Sequence, residues 1–352
     1  MLAKAAKRIV LRGAKRARLL EIVASSGWRQ QRLLILGYHA LSRDDEHLWR
    51  RELFFTVQEF ERRLAVLARW RVNVLRLSDA LAHLRAGTLP PRSVVLTFDD
   101  GMADLWQLAW PMLRRYRYPA TVYVATYYSG KGVPVFPLMC SYLLWKARDR
   151  VLPAAPGLGI AEPVELARTP QRIAAARALV HRAIADRLDA SECDHRAGSI
   201  AALLRIDYER LRERRVLQLM TKDELRAAAA DGVDIQLHTH RHRMPQQCDL
   251  FANEILDNRR VIESLSRCSA NHFCYPSGEH RPNVLPWLES LAISSAVTCD
   301  GGLVNSRTAS LLLPRVIDTA ALSEIEFESW LSGVGAFFPC RPRFRLFTRA
   351  RT

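Results

Sequence analysis

Short unbroken apolar runs alternate along this chain with stretches whose apolar residues recur every three or four positions. "LLILGYH" (33–39), "VNVLRL" (72–77), "SVVLTF" (93–98), "ATVYVAT" (120–126), "VDIQL" (233–237) and "HFCY" (272–275) have the length and composition of buried strands. Between them, "TVQEFERRLAVLARW" (56–70) predicts an amphipathic helix with Phe60, Leu64 and Leu67 on one side. "SDALAHLRAG" (78–87) predicts a helix capped by Ser78 and stopped at Gly87, and "ADLWQLAWPMLRRY" (103–116) a further helix. "TKDELRAAAADG" (221–232) carries a capping box, Thr221 with Glu224 three residues on. Strand and helix taking turns implies parallel strands with crossover helices, an α/β fold.

Residues from about 136 to 220 interrupt the rhythm. "SYLLWKARDRV", "RIAAARALVHRAIADRL" and "YERLRERRVLQLM" read as helices without a strand among them, so the stretch is expected to be a helical insertion. The organisation predicted is a basic amphipathic segment at 1–30, one domain at 31–335 containing the insertion, and a basic tail at 336–352.

The polar residues fall at the ends of strands. "LLIL" runs into Gly37-Tyr38-His39, "SVVLTF" into Asp99-Asp100-Gly101, "VDIQL" into His238-Thr239-His240-Arg241-His242, and "HFCY" into Pro276-Ser277-Gly278. In parallel α/β sheets the carboxyl ends of the strands share one face, so residues far apart in sequence converge there. Three of the chain's ten histidines lie within 238–242, and His238 and His242, four apart, can face one way on a helical turn. Taken alone, that stretch is a metal site or a polar strand end, and Asp-Gly after a strand is a turn or part of a site. Two adjacent carboxylates repel unless a cation neutralises one, which leaves the other as a base. One Asp and two His around a divalent ion leave a position open for water.

Composition narrows the partners. The 52 basic against 36 acidic residues give a formal charge of +16, a field that favours anionic lipid, phosphate-bearing sugar carriers or acidic polymers. No zinc-finger spacing, basic zipper or RNA-platform signature accompanies the charge, so nucleic acid is disfavoured. Seven scattered cysteines without a CxxC pair form no disulfide framework and fit a reducing compartment. The opening "MLAKAAKRIVLRGAKRARLLEIV" lacks the apolar core of a signal peptide, and no apolar run reaches transmembrane length. A cytoplasmic location is expected. Leu2, Ala6, Ile9, Val10, Ala17 and Leu20 can share a helical face, so residues 1–23 either lie on an anionic membrane at its inner face or pack on the domain, with Gly13 against a continuous helix. The basic tail "CRPRFRLFTRART" is expected to be disordered or surface-bound.

"LGYHAL", "LTFDDGMADL", "LMTKDELRAAAADGVDIQLHTHRH", "CYPSG" and "LLLPRVID", in this order, resemble the polysaccharide deacetylases of the NodB-homology class, carbohydrate esterase family 4. The likeness runs from about residue 32 to about 318, most of the insertion excepted. It implies a distorted (β/α) barrel of fewer than eight strands. It also implies Asp99 as general base and Asp100, His238 and His242 as ligands of a divalent metal, zinc first by ligand type, with cobalt or nickel as alternatives. Thr239 would brace the ligand loop, and His240 would be structural. Tyr275 would line the groove, and a backbone N–H near Tyr275 and Pro276 would hold the oxyanion.

Two features depart from the family pattern. No histidine follows His280, where the catalytic acid usually lies. "LGYH" at 36–39 supplies the LxxH spacing near the N-terminus instead, which resembles the permuted poly-N-acetylglucosamine deacetylase branch and favours His39 over His280 as acid. The arginine that often precedes the third motif is also absent, and Arg315 either orients Asp99 in its place or forms a surface salt bridge. The activity implied is removal of N-acetyl groups from amino sugars of a polysaccharide or its precursor. The alternatives are removal of an O-acetyl or formyl group, action on a lipid-linked sugar, and a non-catalytic glycan-binding relative.

Overall fold

The computed structural model describes residues 2–338. The basic tail beyond residue 338, with Cys340, lies outside them. Two N-terminal helices, α1 (Leu2–Arg16) and α2 (Leu19–Ser25), and a single helical turn at Gly27–Gln30 precede the first strand, β1 (Leu34–Tyr38). There follow α3 (Val57–Arg69), β2 (Asn73–Val74), α4 (Leu77–Ala86) and β3 (Ser93–Phe98). A π-helical turn at Leu105–Ala109 leads into α5 (Trp110–Tyr116), and then comes β4 (Thr121–Val124). The insertion contributes α6 (Phe136–Lys146), α7 (Thr169–Ala185), α8 (Ala190–Leu203) and α9 (Tyr208–Glu213). The rhythm resumes with α10 (Lys222–Ala230), β5 (Asp234–Leu237), α11 (Cys248–Ser266), β6 (His272–Cys274), β7 (Ser295–Val297), β8 (Val316–Ile317) and α12 (Glu324–Ser332).

The main sheet is parallel throughout, in the order β7-β6-β5-β4-β3-β1-β8. Strand β2 pairs the start of β3 on the edge whose far end pairs β4, because Val94 faces both Leu34 and Val74 while Thr97 faces both Gly37 and Thr121. The sheet curls until its ends approach, and among the described residues they are joined by the isolated bridge Val297–Leu313 and the Arg315 N–H to Asp300 O, so the half-barrel stays open rather than closing on a continuous ladder. Strand alternation divides the core. Leu34, Leu36, Leu96, Val122, Leu237 and Phe273 pack outward on helices such as α3, whose Phe60, Leu64 and Leu67 are fully buried. Ile35, Val95, Tyr123, Cys274 and Val297 point inward, where Leu77, Leu81 and Leu84 of α4 plug one end.

The capping box Thr56/Glu59 starts α3, and Thr221/Glu224 starts α10 as expected. Helix α4 begins at Leu77 behind Arg76, so Ser78 sits in its first turn rather than capping it, while Gly87 ends it in the left-handed region at φ 69°. The π turn precedes Pro111, which has no N–H to continue the α ladder. The insertion is not purely helical: 151–152 and 164–165 form a small antiparallel pair.

The N-terminal segment is two helices, broken at Arg18 (φ 56°), while Gly13 is carried inside the first. Leu11 is fully buried, and Arg8 and Lys15 pair with Glu326 and Glu328 of α12 at 3.0 and 2.5 Å. Ala6, Ile9, Val10 and Ala17, the face expected to be apolar contact surface, stay exposed, as do Leu19 and Ile22 of α2. No helix among the described residues is long and apolar enough to cross a membrane.

Candidate metal centre and active site

The carboxyl ends of β1, β3, β5 and β6 bring His39, Asp99, Asp100, His238, His242 and Tyr275 to one cavity of about 720 Å³. Asp100 Oδ1 lies 3.2 Å from His238 Nε2 and 3.4 Å from His242 Nε2, and one ligand atom from each residue falls within 4.8 Å of the others. No helix unites the two histidines. They are joined by an irregular loop in which Thr239 (φ 61°) and His242 (φ 55°) are both left-handed. Thr239, fully buried, closes that loop by accepting the N–H of Arg243 at 3.0 Å.

The hydrogen bonds around His238 define its chemistry. Its Nδ1 lies 2.8 Å from the carbonyl oxygen of Cys274, which only accepts, so Nδ1 carries the proton and Nε2 presents a lone pair to Asp100. A carboxylate oxygen and an imidazole lone pair 3.2 Å apart are both acceptors and require a cation between them. A second proton does this by making imidazolium. Burial would lower the basicity of His238, but its bond to Asp100 and the charge of Asp99 outweigh that and raise it. Asp100, which burial would push up, is driven below the carboxylate range by His238 and His242. A divalent ion serves the same electrostatic need and engages His242, whose ring is held below its usual basicity by its surroundings and so offers a neutral nitrogen. The donor set, one carboxylate and two imidazoles, therefore fits a divalent metal.

A second triple, Asp99, His238 and Cys274, has ligand atoms equally close. It suits a cation poorly, because burial raises the Cys274 thiol well above its usual range and Asp99 is already engaged. Arg315, fully buried, grips both oxygens of Asp99 at 2.6 Å and is itself held by Thr97 Oγ1 and the carbonyl of Thr298, each at 3.0 Å. Burial pushes Asp99 up, but the guanidinium more than offsets this and keeps the carboxyl below its usual range. The Arg315–Asp99 contact is thus an interior pair and not a surface bridge. His39 Nε2 lies 3.8 Å from Asp99 Oδ2. His280, by contrast, pairs with Asp300 at 2.8 Å on the protein surface and does not line the cavity.

Tyr275 differs from what an oxyanion donor requires. Its N–H is directed to the carbonyl of Val297 at 3.3 Å, continuing the β6–β7 pairing, and Pro276 has no N–H to offer. The Tyr275 ring does line the cavity, fixed by its hydroxyl to Leu311 O at 2.8 Å. His240 turns to Thr126 Oγ1 at 2.9 Å and against Tyr127, away from the ligand cluster.

Three supports escaped sequence reasoning. Asn258 accepts the N–H of His238 at 2.9 Å and donates to Val124 O and Thr126 Oγ1, tying the ends of β4 and β5 together. Glu254 receives the N–H of Arg241 at 2.7 Å. Their signal was present: two polar residues at i and i+4 on the buried face of α11, among Phe251, Ile255 and Ile262. The third is Gly37. A Cβ there would lie 2.7 Å from Ile317 Cδ1 and 3.2 Å from Arg315 Nη1, so the glycine of "LGYH" makes room for the guanidinium.

Fold and cluster together define a parallel α/β half-barrel with a candidate divalent-metal site at its strand ends. Residues 86–150 and 196–296 match the family described as polysaccharide deacetylase, and the chain belongs to that family, related to the poly-N-acetylglucosamine deacetylases. It is similar to the poly-beta-1,6-N-acetyl-D-glucosamine N-deacetylase of Staphylococcus aureus (strain MSSA476), 32% identical over 73 residues, which cover 21% of this chain and 25% of the relative. The namesake protein of Staphylococcus epidermidis is 32% identical over 75 residues, covering 21% and 26%. The chain thus spans about a quarter of the length of the curated relatives it matches. Among solved structures, the Streptococcus pyogenes deacetylase PplD in complex with acetate superposes with a TM-score of 0.56 at 18% identity, covering 88% of this chain and 99% of that one. IcaB from Ammonifex degensii gives 0.54 at 15%, covering 86% and 98%. At these identities the structural likeness is one of fold.

Proposed function

We propose that the chain is a metal-dependent hydrolase that removes N-acetyl groups from amino sugars of a polysaccharide or its precursor. The observation that carries this reading is the meeting of Asp100, His238 and His242 with an Arg315-locked Asp99 and His39 around one cavity. Asp100, His238 and His242 would hold the ion, zinc by ligand type, which when bound supplies a Lewis acid beside the scissile carbonyl and an acidified water. Asp99 takes the proton of the attacking water as general base, with Arg315 fixing the direction of its carboxylate. His39, whose Nε2 lies 3.8 Å from Asp99 Oδ2, donates a proton to the departing amine, which leaves poorly as an anion. Its place in the cavity supports it as the acid over His280. The basic, partly apolar outer face of α1 and α2 supports attachment to an anionic membrane surface.

The test is acetate release from N-acetylglucosamine oligomers by the full chain, with and without chelator and with zinc or cobalt restored. Release that is lost to chelator and recovered with metal is the expected result. One equivalent of bound metal without release from any acetylated amino sugar would redirect the reading to another acyl group. Absence of both metal binding and release would leave a glycan-binding relative as the better account.

A further inference from the structure

The cavity has two kinds of lining, and they come from different parts of the chain. The strand ends supply Asp99, Asp100 and the histidines, with Tyr127 and Tyr128 following β4 into the same lining. The insertion, with the loop before α3, supplies Phe136, Asp189 and Cys193 and an aliphatic stretch of wall formed by Leu53, Leu138, Val180, Ala183, Ile184 and Leu188. Val180 and Ile184 stand one turn apart on α7, so they present a single aliphatic face. Ile184 is 61% exposed, so its side chain is open to whatever enters the groove. A sugar ring gains little there. Its hydroxyls need hydrogen-bonding partners and its C–H faces need flat aromatic surfaces, and branched aliphatic side chains offer neither.

We propose that the substrate is an amphiphile, an N-acetylated amino sugar joined through its aglycone to an aliphatic chain that lies along this wall while the sugar meets the strand ends. The inference rests on the deacetylase reading above, which also decides which part of the substrate carries the chain. An acetyl group has one methyl and cannot cover five large aliphatic side chains, so the chain belongs on the aglycone. Continuity of the wall with the metal centre in one cavity is what ties this occupant to the reaction.

A homologous series of methyl, butyl, hexyl and octyl N-acetyl-β-glucosaminides tests the idea by calorimetric binding to the full chain, with acetate release followed in parallel. Each methylene that reaches the wall should tighten binding about fourfold until the wall is covered. The double variant V180N/I184N should lose most of that dependence, read as the octyl-to-methyl affinity ratio. Ile184 is largely exposed and Val180 half-buried, so the substitutions do not open the core, and circular dichroism checks this directly. A flat series in the wild type overturns the proposal. So does a gain that follows lengthened N-acyl chains on the methyl glycoside instead of lengthened aglycones. If binding climbs with aglycone length but no acetate appears, the deacetylase reading fails and the aliphatic site stands. If acetate appears at a rate and affinity indifferent to chain length, the reverse holds.

Discussion

Gly37→Ala is the most discriminating single substitution for the catalytic half of the site, although Gly37 touches no substrate. A Cβ at this position would come within 2.7 Å of Ile317 Cδ1, 3.2 Å of Arg315 Nη1 and 3.3 Å of Arg315 Cζ. The two contacts relax differently. Ile317 Cδ1 is the free end of a flexible side chain and turns aside. The Arg315 guanidinium is pinned by Thr97, both oxygens of Asp99 and the Thr298 carbonyl, so it moves only by disturbing Asp99. Overpacking of this kind costs about 1–3 kcal/mol, and each kcal/mol corresponds to roughly 2–4 °C in Tm for a large domain. A shift of ~1 Å in a group that aims a catalytic base costs about a hundredfold in kcat. The expected result is therefore a modest fall in Tm with a disproportionate loss of acetate release. Adding Ile317→Ala should return part of the stability, because it removes the nearest clash, while leaving the activity low. If Gly37→Ala retains wild-type kcat, or if the double variant recovers activity along with Tm, the guanidinium does not orient Asp99 in the way argued.

Other expectations follow from the same geometry. Asp99→Asn should lower kcat by about 10²–10⁴-fold while zinc still binds at one equivalent, checked by steady-state kinetics and metal analysis. His39→Gln should lower kcat far more than His280→Gln, since only His39 lines the cavity; equal losses would remove His39 as the acid. Glu328 is buried on α12, where burial would raise its pKa but Lys15, Arg69 and Trp70 outweigh that and lower it. With the folded value depressed, its contribution is present above the ordinary glutamate range and is lost as the pH falls through the folded value. The protection of α1 amides, taken relative to their intrinsic exchange rate at each pH, should therefore fall as the pH is taken below about 4.5, and less so in Glu328→Gln. Co-sedimentation should find the chain on anionic but not zwitterionic vesicles, with Ile9→Asp and Ile22→Asp, both on the exposed face, weakening it; equal binding to both vesicle types would dismiss that surface.

The fold was legible because each strand is a short apolar run stopped by a polar cluster, and parallel sheets place all those stops on one face. What escaped was whatever depends on backbone conformation or on helix faces. The spacing of His238 and His242 suggested a helical turn, yet they meet through a loop whose two left-handed residues no periodicity encodes. Tyr275 and Pro276 sit at the right strand end, but whether an N–H is free depends on pairing register, and Val297 takes that of Tyr275. On α1, moment and charge were visible from the sequence, but which apolar residues face the body was decided by α12. Leu11 went inward and Ile9 and Val10 outward. Arg315 lay beyond reach for another reason. Its partner is 216 residues away, and the two meet only because β8 pairs with β1 and β1 with β3, a strand order that no local pattern encodes.

The strained residues show how the site was assembled. Asp100 (φ 69°), Thr239 (φ 61°), His242 (φ 55°) and Ser277 (φ 56°) are all left-handed and none is glycine, although three follow strands where glycine would adopt that conformation without cost. Each such residue costs about 1 kcal/mol or more, and such strain persists only where the surroundings over-determine it. Here the surroundings are identifiable: Asp100 faces His238 and His242, Thr239 Oγ1 takes the Arg243 N–H, and Asn258 pins the start of the loop. Glycine at position 100 or 242 would relieve the backbone and delete a ligand atom, and glycine at 239 would release the loop. Where glycine does appear, at Gly101 (φ 82°), the neighbouring Val124 leaves no room for a Cβ. At Asp100, Thr239 and His242 the left-handed backbone thus coincides with a side chain that faces the proposed ion or braces its loop, whereas at Arg117 and Arg267 the same conformation only ends a helix.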